Sequence, residues 1–158
     1  YNAGVKATVF SALAYAVGFG SLPLLVSYAA SPPEAPQWWV VGVACLLGVS
    51  SHFANVVPDR SADQTAGVRG LPHRLPAPVL AGALVVLMAA AGVLLVLGAG
   101  PGPAVWTISA AAVALLLSLA AALMSIRPTS SRWPFRLSML AALSMAVGLA
   151  QGLSGSMN

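Results

Sequence analysis

Three oxygen-bearing side chains recur at every fourth residue within the segment 52–75, which reads HFANVVPDRSADQTAGVRGLPHRL. On a helix, Asn55, Asp59 and Asp63 would lie on one face, because residues four apart are neighbours on a helix surface. His52 would lie on the same face one turn earlier. Two carboxylates and an amide suit Mg²⁺, which takes one or two carboxylates and completes its shell with water and phosphate oxygens. The spacing therefore favours a metal site that also binds phosphate.

Two arginines follow this motif closely enough to bind the same phosphate groups. Arg69 and Arg74 could each present paired N–H donors to phosphate oxygens. Gly67 and Gly70, on either side of Arg69, let the backbone turn sharply or approach a ligand. The alternative interpretation is an ordinary polar loop whose arginines only orient the chain in a membrane. Charges near membrane depth favour the first interpretation, because ionisable groups there tend to be functional.

Three other residues of the segment have interpretations of their own. Pro58 lacks a backbone N–H, so the helix is predicted to bend or fray there and to free carbonyl groups near the carboxylates. His52 could act as a base or orient an acceptor, although a hydrogen-bonded histidine at a membrane interface is the commoner role. His73 is predicted to be solvated within the polar loop.

The composition excludes a water-soluble protein. Of the 158 residues, 59% are hydrophobic and 6% are charged, whereas roughly a quarter of the residues in a soluble domain are charged. Apolar runs long enough to cross a bilayer recur along the chain, which predicts an integral membrane protein. The basic residues form no long patch, so nucleic acid is not an expected partner. The single cysteine, Cys45, excludes an internal disulfide.

Five transmembrane helices are predicted, packed in an all-α bundle that forms a single domain over residues 1–158. Their predicted ranges are 8–30, 38–55, 77–97, 104–126 and 135–153. The adjacent Trp38 and Trp39 are typical of the aromatic belt at a membrane surface. Trp106 and Trp133 are predicted to be anchors of the same kind.

The basic residues predict the orientation of these helices. With five spans, every segment that contains Lys or Arg falls on one side of the membrane, and the connections at 31–37 and 98–103 contain neither. The basic set comprises Lys6, Arg60, Arg69, Arg74, Arg127, Arg132 and Arg136. Because short loops rich in Lys and Arg stay in the cytoplasm, the motif segment 52–76 is predicted to be cytoplasmic. A bacterial cell membrane is the predicted location.

The motifs resemble those of a known family. The stretch NVVPDRSADQTAGVRGLPHRL is similar to the second aspartate-rich motif of the UbiA superfamily of intramembrane prenyltransferases. In that motif an Asn or Asp precedes DxxxD, a glycine and a basic-Thr-Leu-like stretch. Upstream, YNAGVKATVFSALAYAVGFGSLPLLV resembles the Tyr/Lys loop of the superfamily and the helix after it. Tyr1 and Lys6 are five residues apart where many members have YxxxK, and His52 stands where some members have an aspartate.

The resemblance implies Mg²⁺-dependent transfer of an isoprenyl group from a prenyl diphosphate to an acceptor within the lipid bilayer. It assigns Asp59, Asp63 and Asn55 as metal ligands. The diphosphate-binding residues that it implies are Lys6, Arg69, Arg74 and Tyr1. Members have nine helices and two aspartate-rich motifs, so the chain is expected to correspond to the C-terminal five helices. Catalysis is expected to need the other four, from the same gene product or from a partner chain.

Two other function classes remain open at this point. The chain could be a non-catalytic membrane scaffold subunit that keeps the fold, or half of an ion-coupled transporter in which paired acidic residues coordinate ions. Ion sites of transporters tend to lie near the bilayer midplane at broken helices. Here the carboxylates lie at a predicted membrane boundary beside arginines, which favours diphosphate over a permeating cation.

Overall fold

Long apolar helices make up most of the protein. The computed structural model describes residues 8–100, 105–126 and 131–155, without the side chains of Ser154 and Gly155, and these ranges contain helices and no strands. The helices are α1 (Ser11–Ala29), α2 (Trp38–Thr65), α3 (Leu71–Arg74), α4 (Ala77–Gly98), α5 (Val105–Ser125) and α6 (Trp133–Gly155). All except α3 are long and apolar enough to cross a membrane. The predicted all-α membrane bundle with five spans is confirmed.

Helix α2 departs most from its predicted range. The span predicted to end near residue 55 continues to Thr65, with Pro58 inside the helix, so the predicted fraying at Pro58 is wrong. A helix of 28 residues is about 42 Å long and exceeds the roughly 30 Å hydrocarbon core of a bilayer. A helix of this length that begins at one surface is long enough for its last turns to extend beyond the apolar layer at the other. Asp59 and Asp63 lie on these turns.

Helix α2 is also the centre of the bundle. It packs against α1, α4 and α6, and α5 packs against α4 and α6. The main core lies between α2, α4, α5 and α6, and its buried side chains are Trp39, Val40, Val43, Leu47, Met88, Ala91, Leu95, Ala114, Ala141 and Met145. A second cluster of Phe53, Leu80 and Leu84 lies nearer the carboxylates, and Leu71 and Leu75 pack against it. The motif segment therefore rests on an apolar base.

Trp39 belongs to the core and not to an aromatic belt. Its side chain is only 2% exposed, and a Cβ atom on Gly98 would overlap its ring, so the ring needs glycine there. The indole N–H donates a hydrogen bond to the side chain of Gln37. The belt prediction is therefore wrong for Trp39, whereas Trp38, Trp106 and Trp133 are exposed, as anchors at a membrane surface are.

Helix α1 is attached to the bundle through α2. A Cβ atom on Gly48 would lie 2.5 Å from the carbonyl oxygen of Tyr15 and 2.7 Å from Cβ of Phe19, so only glycine allows this approach. Of the apolar window of α1, 6% is buried. Its exposed side, which includes Leu13, Val17 and Leu25, is open to lipid or to further helices.

Prolines mark the connection from α3 to α4. Pro72 lies in the first turn of α3, Pro76 is the N-cap of α4, and Pro78 lies in the first turn of α4. Proline fits these positions because the first N–H groups of a helix have no acceptor within the helix. The prolines therefore end one helix and begin the next without breaking either.

Candidate functional site

The three predicted metal ligands lie on one continuous helix. Asn55, Asp59 and Asp63 are all within α2, so their spacing places them on one face, about 6 Å apart along the axis. Asn55 is exposed, and Asp59 and Asp63 are half-buried. Phe53, Ala54 and Val57 hold the part of α2 before Pro58 in the second core cluster. The turns after Pro58 contact the segment at 73–75 through Arg60 and Asp63. We call this surface the carboxylate face.

His73 contacts the carboxylate face directly. Its Nε2 lies 3.0 Å from Oδ2 of Asp63, and its side chain is 2% exposed while that of Asp63 is 20% exposed. The prediction that His73 is solvated is therefore wrong. A ten-residue separation along a chain with a turn between gives no periodic signal, so only the tertiary structure reveals this pair.

Arg60 holds the segment that carries His73. Its Nη2 donates a hydrogen bond of 2.9 Å to the carbonyl oxygen of His73 and a second one to the carbonyl oxygen of Leu75. The sequence identifies Arg60 only as one of the basic residues that orient the chain. In the structure its guanidinium fastens α3 to the last turns of α2.

The predicted phosphate-binding arginines come together in a depression of about 250 Å³. It is lined by Gln64, Arg69, His73 and Arg74. Nε of Arg74 donates a 3.0 Å hydrogen bond to the carbonyl oxygen of Arg69, which fixes the two residues relative to each other. The lining contains two permanent positive charges and several N–H donors. We call it the cationic depression, and its chemistry suits an anion with several oxygens.

A turn at Gly67 brings this lining back toward α2. Gly67 has φ +77, a left-handed conformation that favours glycine. The N–H of Val68 donates to the carbonyl oxygen of Asp63 at 2.8 Å, and that of Gly67 donates to Gln64 at 3.1 Å. The chain therefore reverses directly after α2, and the arginines lie beside its end.

His52 points toward α1 instead of joining the carboxylate face. Its Nε2 is 3.0 Å from Oγ of Ser11, its ring stacks on Tyr15 with centroids 4.3 Å apart, and it is 3% exposed. The same Ser11 Oγ accepts the N–H of Leu71 at 3.3 Å. The structure therefore places this candidate acceptor residue in a buried junction between α1, α2 and α3. Of its two predicted roles, the hydrogen-bonded one agrees with these contacts.

Two further candidates and one topology residue cannot be placed in this arrangement. Tyr1 and Lys6, the predicted diphosphate ligands at the N-terminal end, lie outside the described residues. Arg127 lies outside them as well. The structure places Asn55, Asp59 and Asp63 on α2 and Arg69 and Arg74 in the depression, and His73 links Asp63 to that depression. The sequence interpretation did not include His73, Arg60 or Gln64 in the site.

The chemistry of the carboxylate face fits a magnesium ion. Carboxylate and amide oxygens are hard donors, the type that Mg²⁺ prefers, and Mg²⁺ is commonly bound by one or two carboxylates together with substrate phosphates. In the described part of the chain, no group of three or more His, Cys, Asp or Glu is placed to hold a metal. A metal ion at Asp59 and Asp63 would therefore take its remaining ligands from water and phosphate, and the cationic depression lies alongside.

Comparison with known proteins identifies a matching family model. No curated protein and no solved structure matches the chain. The family model described as the UbiA prenyltransferase family matches residues 1–150, which include both motifs, four of the apolar helices and most of the fifth. The chain therefore belongs to the UbiA prenyltransferase family.

Proposed function

We propose that this chain forms the diphosphate-binding part of a Mg²⁺-dependent enzyme that transfers an isoprenyl group from a prenyl diphosphate to an acceptor within the membrane. Membership of the family implies a prenyltransferase. The observation that carries the finer proposal is the position of His73, which contacts Asp63 and also lines the depression with Arg69 and Arg74. A residue of the cationic depression thus contacts the carboxylate face, and this adjacency suits a diphosphate with a bound metal ion better than a metal ion or an anion alone.

The reaction separates charge, and the residues of the site match that separation. The allylic C–O bond of the diphosphate breaks, and its electron pair leaves with the pyrophosphate oxygen. A nucleophilic atom of the acceptor donates an electron pair to the allylic carbon, and the acceptor then loses a proton. Arg69 and Arg74 donate hydrogen bonds to pyrophosphate oxygens and stabilise the developing negative charge. Asp59, Asp63 and Asn55 would hold Mg²⁺, which adds positive charge at the leaving group when bound.

The rest of the protein excludes water from the positively charged allylic carbon. Each long helix contains an apolar stretch of membrane-spanning length, which suits a long hydrocarbon chain and a dry cavity. Leu13 and Val17 on α1, and Phe10 just before it, are exposed and could contact lipid or further helices. By resemblance, four further helices complete the cavity, supplied by the same gene product or a partner chain. Lys6 and Tyr1 are proposed as further ligands of the diphosphate on the same basis.

A transfer assay tests the proposal. The full-length protein in membranes, given radiolabelled prenyl diphosphate and a lipid extract as the source of acceptors, is expected to move label into the lipid fraction when Mg²⁺ is present. EDTA should stop the transfer, and excess Mg²⁺ should restore it. The carboxylates of Asp59 and Asp63 and the diphosphate are all negatively charged, so a cation must lie between them. A non-catalytic scaffold or a transporter would give no labelled lipid, and that result would contradict the proposal.

We also propose that the site opens to the cytoplasm, because the basic residues of the chain lie in segments on one side. Cysteine labelling in a Cys45→Ser background measures this. Ser61 and Glu34 are both exposed and lie near opposite ends of the bundle. Ser61→Cys is expected to react with an impermeant maleimide only after the cells are permeabilised, whereas Glu34→Cys should react in intact cells. The reverse pattern would invert the topology.

A further inference from the structure

His73 is a buried side chain held from three directions. Its residue is 6% exposed, its ring Nε2 contacts Oδ2 of Asp63 at 3.0 Å, and its carbonyl oxygen accepts a hydrogen bond from Arg60. Its N–H donates to the carbonyl oxygen of Gly70 at 3.1 Å. The main chain is therefore fixed on both sides of the ring, and the ring cannot follow Asp63 if that side chain moves.

The contact constrains the carboxylate more than the ring. An ionised carboxylate only accepts hydrogen bonds, so the proton of the contact belongs to Nε2 of His73. Asp63 lies near the end of α2, where a half-buried side chain has several accessible rotamers. A donor fixed by its own backbone selects one of these rotamers and so sets the direction of the carboxylate.

His73 also lines the cationic depression with Arg69 and Arg74. Arg74 is the next residue in α3, so the position of the ring and the position of that arginine are set by one rigid turn. Any shift of His73 would move the carboxylate of Asp63 and the depression relative to each other.

We propose that His73 is a positioning residue that orients the carboxylate of Asp63 for a divalent cation and fixes the position of that carboxylate relative to the cationic depression. The proposal rests on the proposed function, since it assumes a cation at Asp59 and Asp63. It assigns no contact between His73 and the reacting atoms. The active element is the Nε2–H donor at a fixed position, and neither the bulk of the ring nor its charge is required.

Two substitutions separate the donor from the bulk of the ring. His73→Leu keeps an apolar side chain in the buried space and removes the donor. His73→Gln keeps an N–H donor at about the distance of Nε2 from the backbone. The matched control is His52→Leu, because His52 is equally buried but contacts Ser11 and Tyr15 rather than a carboxylate.

The measurement is Mn²⁺ binding to the purified full-length protein in detergent, followed by electron paramagnetic resonance without any substrate. Mn²⁺ replaces Mg²⁺ as the probe because the same oxygen ligands suit both ions. His73→Leu is expected to raise the Kd for Mn²⁺ about tenfold or more, which is typical when the partner of a metal ligand is lost. His73→Gln and His52→Leu should both stay within about threefold of the unmodified protein.

The outcomes are distinct. Unchanged Mn²⁺ affinity in His73→Leu would overturn the positioning role and leave the metal site standing. Equal losses in His73→Leu and His73→Gln would also overturn it, because the shape of the ring would then matter and the donor would not. No Mn²⁺ binding by the unmodified protein would overturn the metal site itself and the proposed function with it.

Discussion

Replacing either Asp59 or Asp63 with Ala is expected to abolish measurable prenyl transfer. Each change would remove a proposed carboxylate ligand from a site with few of them, since the described residues contain no group of three or more His, Cys, Asp or Glu placed to hold a metal. Electrostatic stabilisation of a leaving group by one such element is commonly worth a factor of about 100 to 1,000 in turnover. We therefore expect losses of at least about 100-fold in each variant.

The measurement is Mg²⁺-dependent transfer from a labelled prenyl diphosphate in membranes that contain equal amounts of each variant. Glu34→Ala is the matched control, because Glu34 is the remaining acidic residue of the chain and lies in the exposed connection between α1 and α2. Asp59→Ala is the cleaner of the two tests, since the contact with His73 belongs to Asp63. Full activity in either aspartate variant, with the protein correctly inserted, would refute its role as a metal ligand.

Arg69→Lys is expected to raise the apparent KM for prenyl diphosphate about tenfold. Lysine keeps the charge but loses the planar pair of N–H donors that matches two phosphate oxygens. A hydrogen bond to a charged group contributes about 1.5–3 kcal/mol, and a loss of 1.4 kcal/mol corresponds to about a factor of ten. The carbonyl oxygen that accepts the hydrogen bond from Arg74 is part of the backbone, so lysine leaves that contact in place. The substitution thus tests the guanidinium alone.

Arg132→Lys is the control for this prediction. Arg132 is exposed in the connection before α6, and it is not part of the lining of the cationic depression. Its replacement should leave KM within about twofold, because a residue kept for orientation needs only its charge. If the two variants had equal KM values, Arg69 would be a topology residue, and Lys6 would be the stronger candidate for the diphosphate.

The helices were predictable because each one is a long apolar run, and hydropathy alone determines whether such a run can cross a membrane. The extension of α2 was not. Proline predicts a break from local sequence, but here the turns beyond Pro58 are stabilised by contacts of Arg60 and Asp63 with the segment at 73–75. Contacts between residues so far apart leave no periodic pattern in the sequence.

The candidate site was predictable in part for a related reason. Asn55, Asp59 and Asp63 share a helix face because of their spacing, and this is a local property that sequence encodes directly. The pairing of Asp63 with His73 depends on how the chain turns at Gly67. A glycine in the sequence allows such a turn but does not determine its direction. His73 lies in a polar stretch and was assigned to solvent, yet the fold covers it. A polar neighbourhood in sequence does not determine burial in space.

The three prolines around α3 affect the stability of the cationic depression even though they line no part of it. Pro72, Pro76 and Pro78 each fix one backbone angle, so the segment samples fewer conformations when it is released from the bundle. Each such restriction lowers the entropic cost of packing the segment against the bundle by about 0.4–1 kcal/mol, where the folded conformation suits proline. Three of them together amount to about 1–3 kcal/mol, comparable with one charged hydrogen bond. The prolines therefore help to keep Arg69 and Arg74 in place, because they limit the conformations that the segment can adopt when it leaves the bundle.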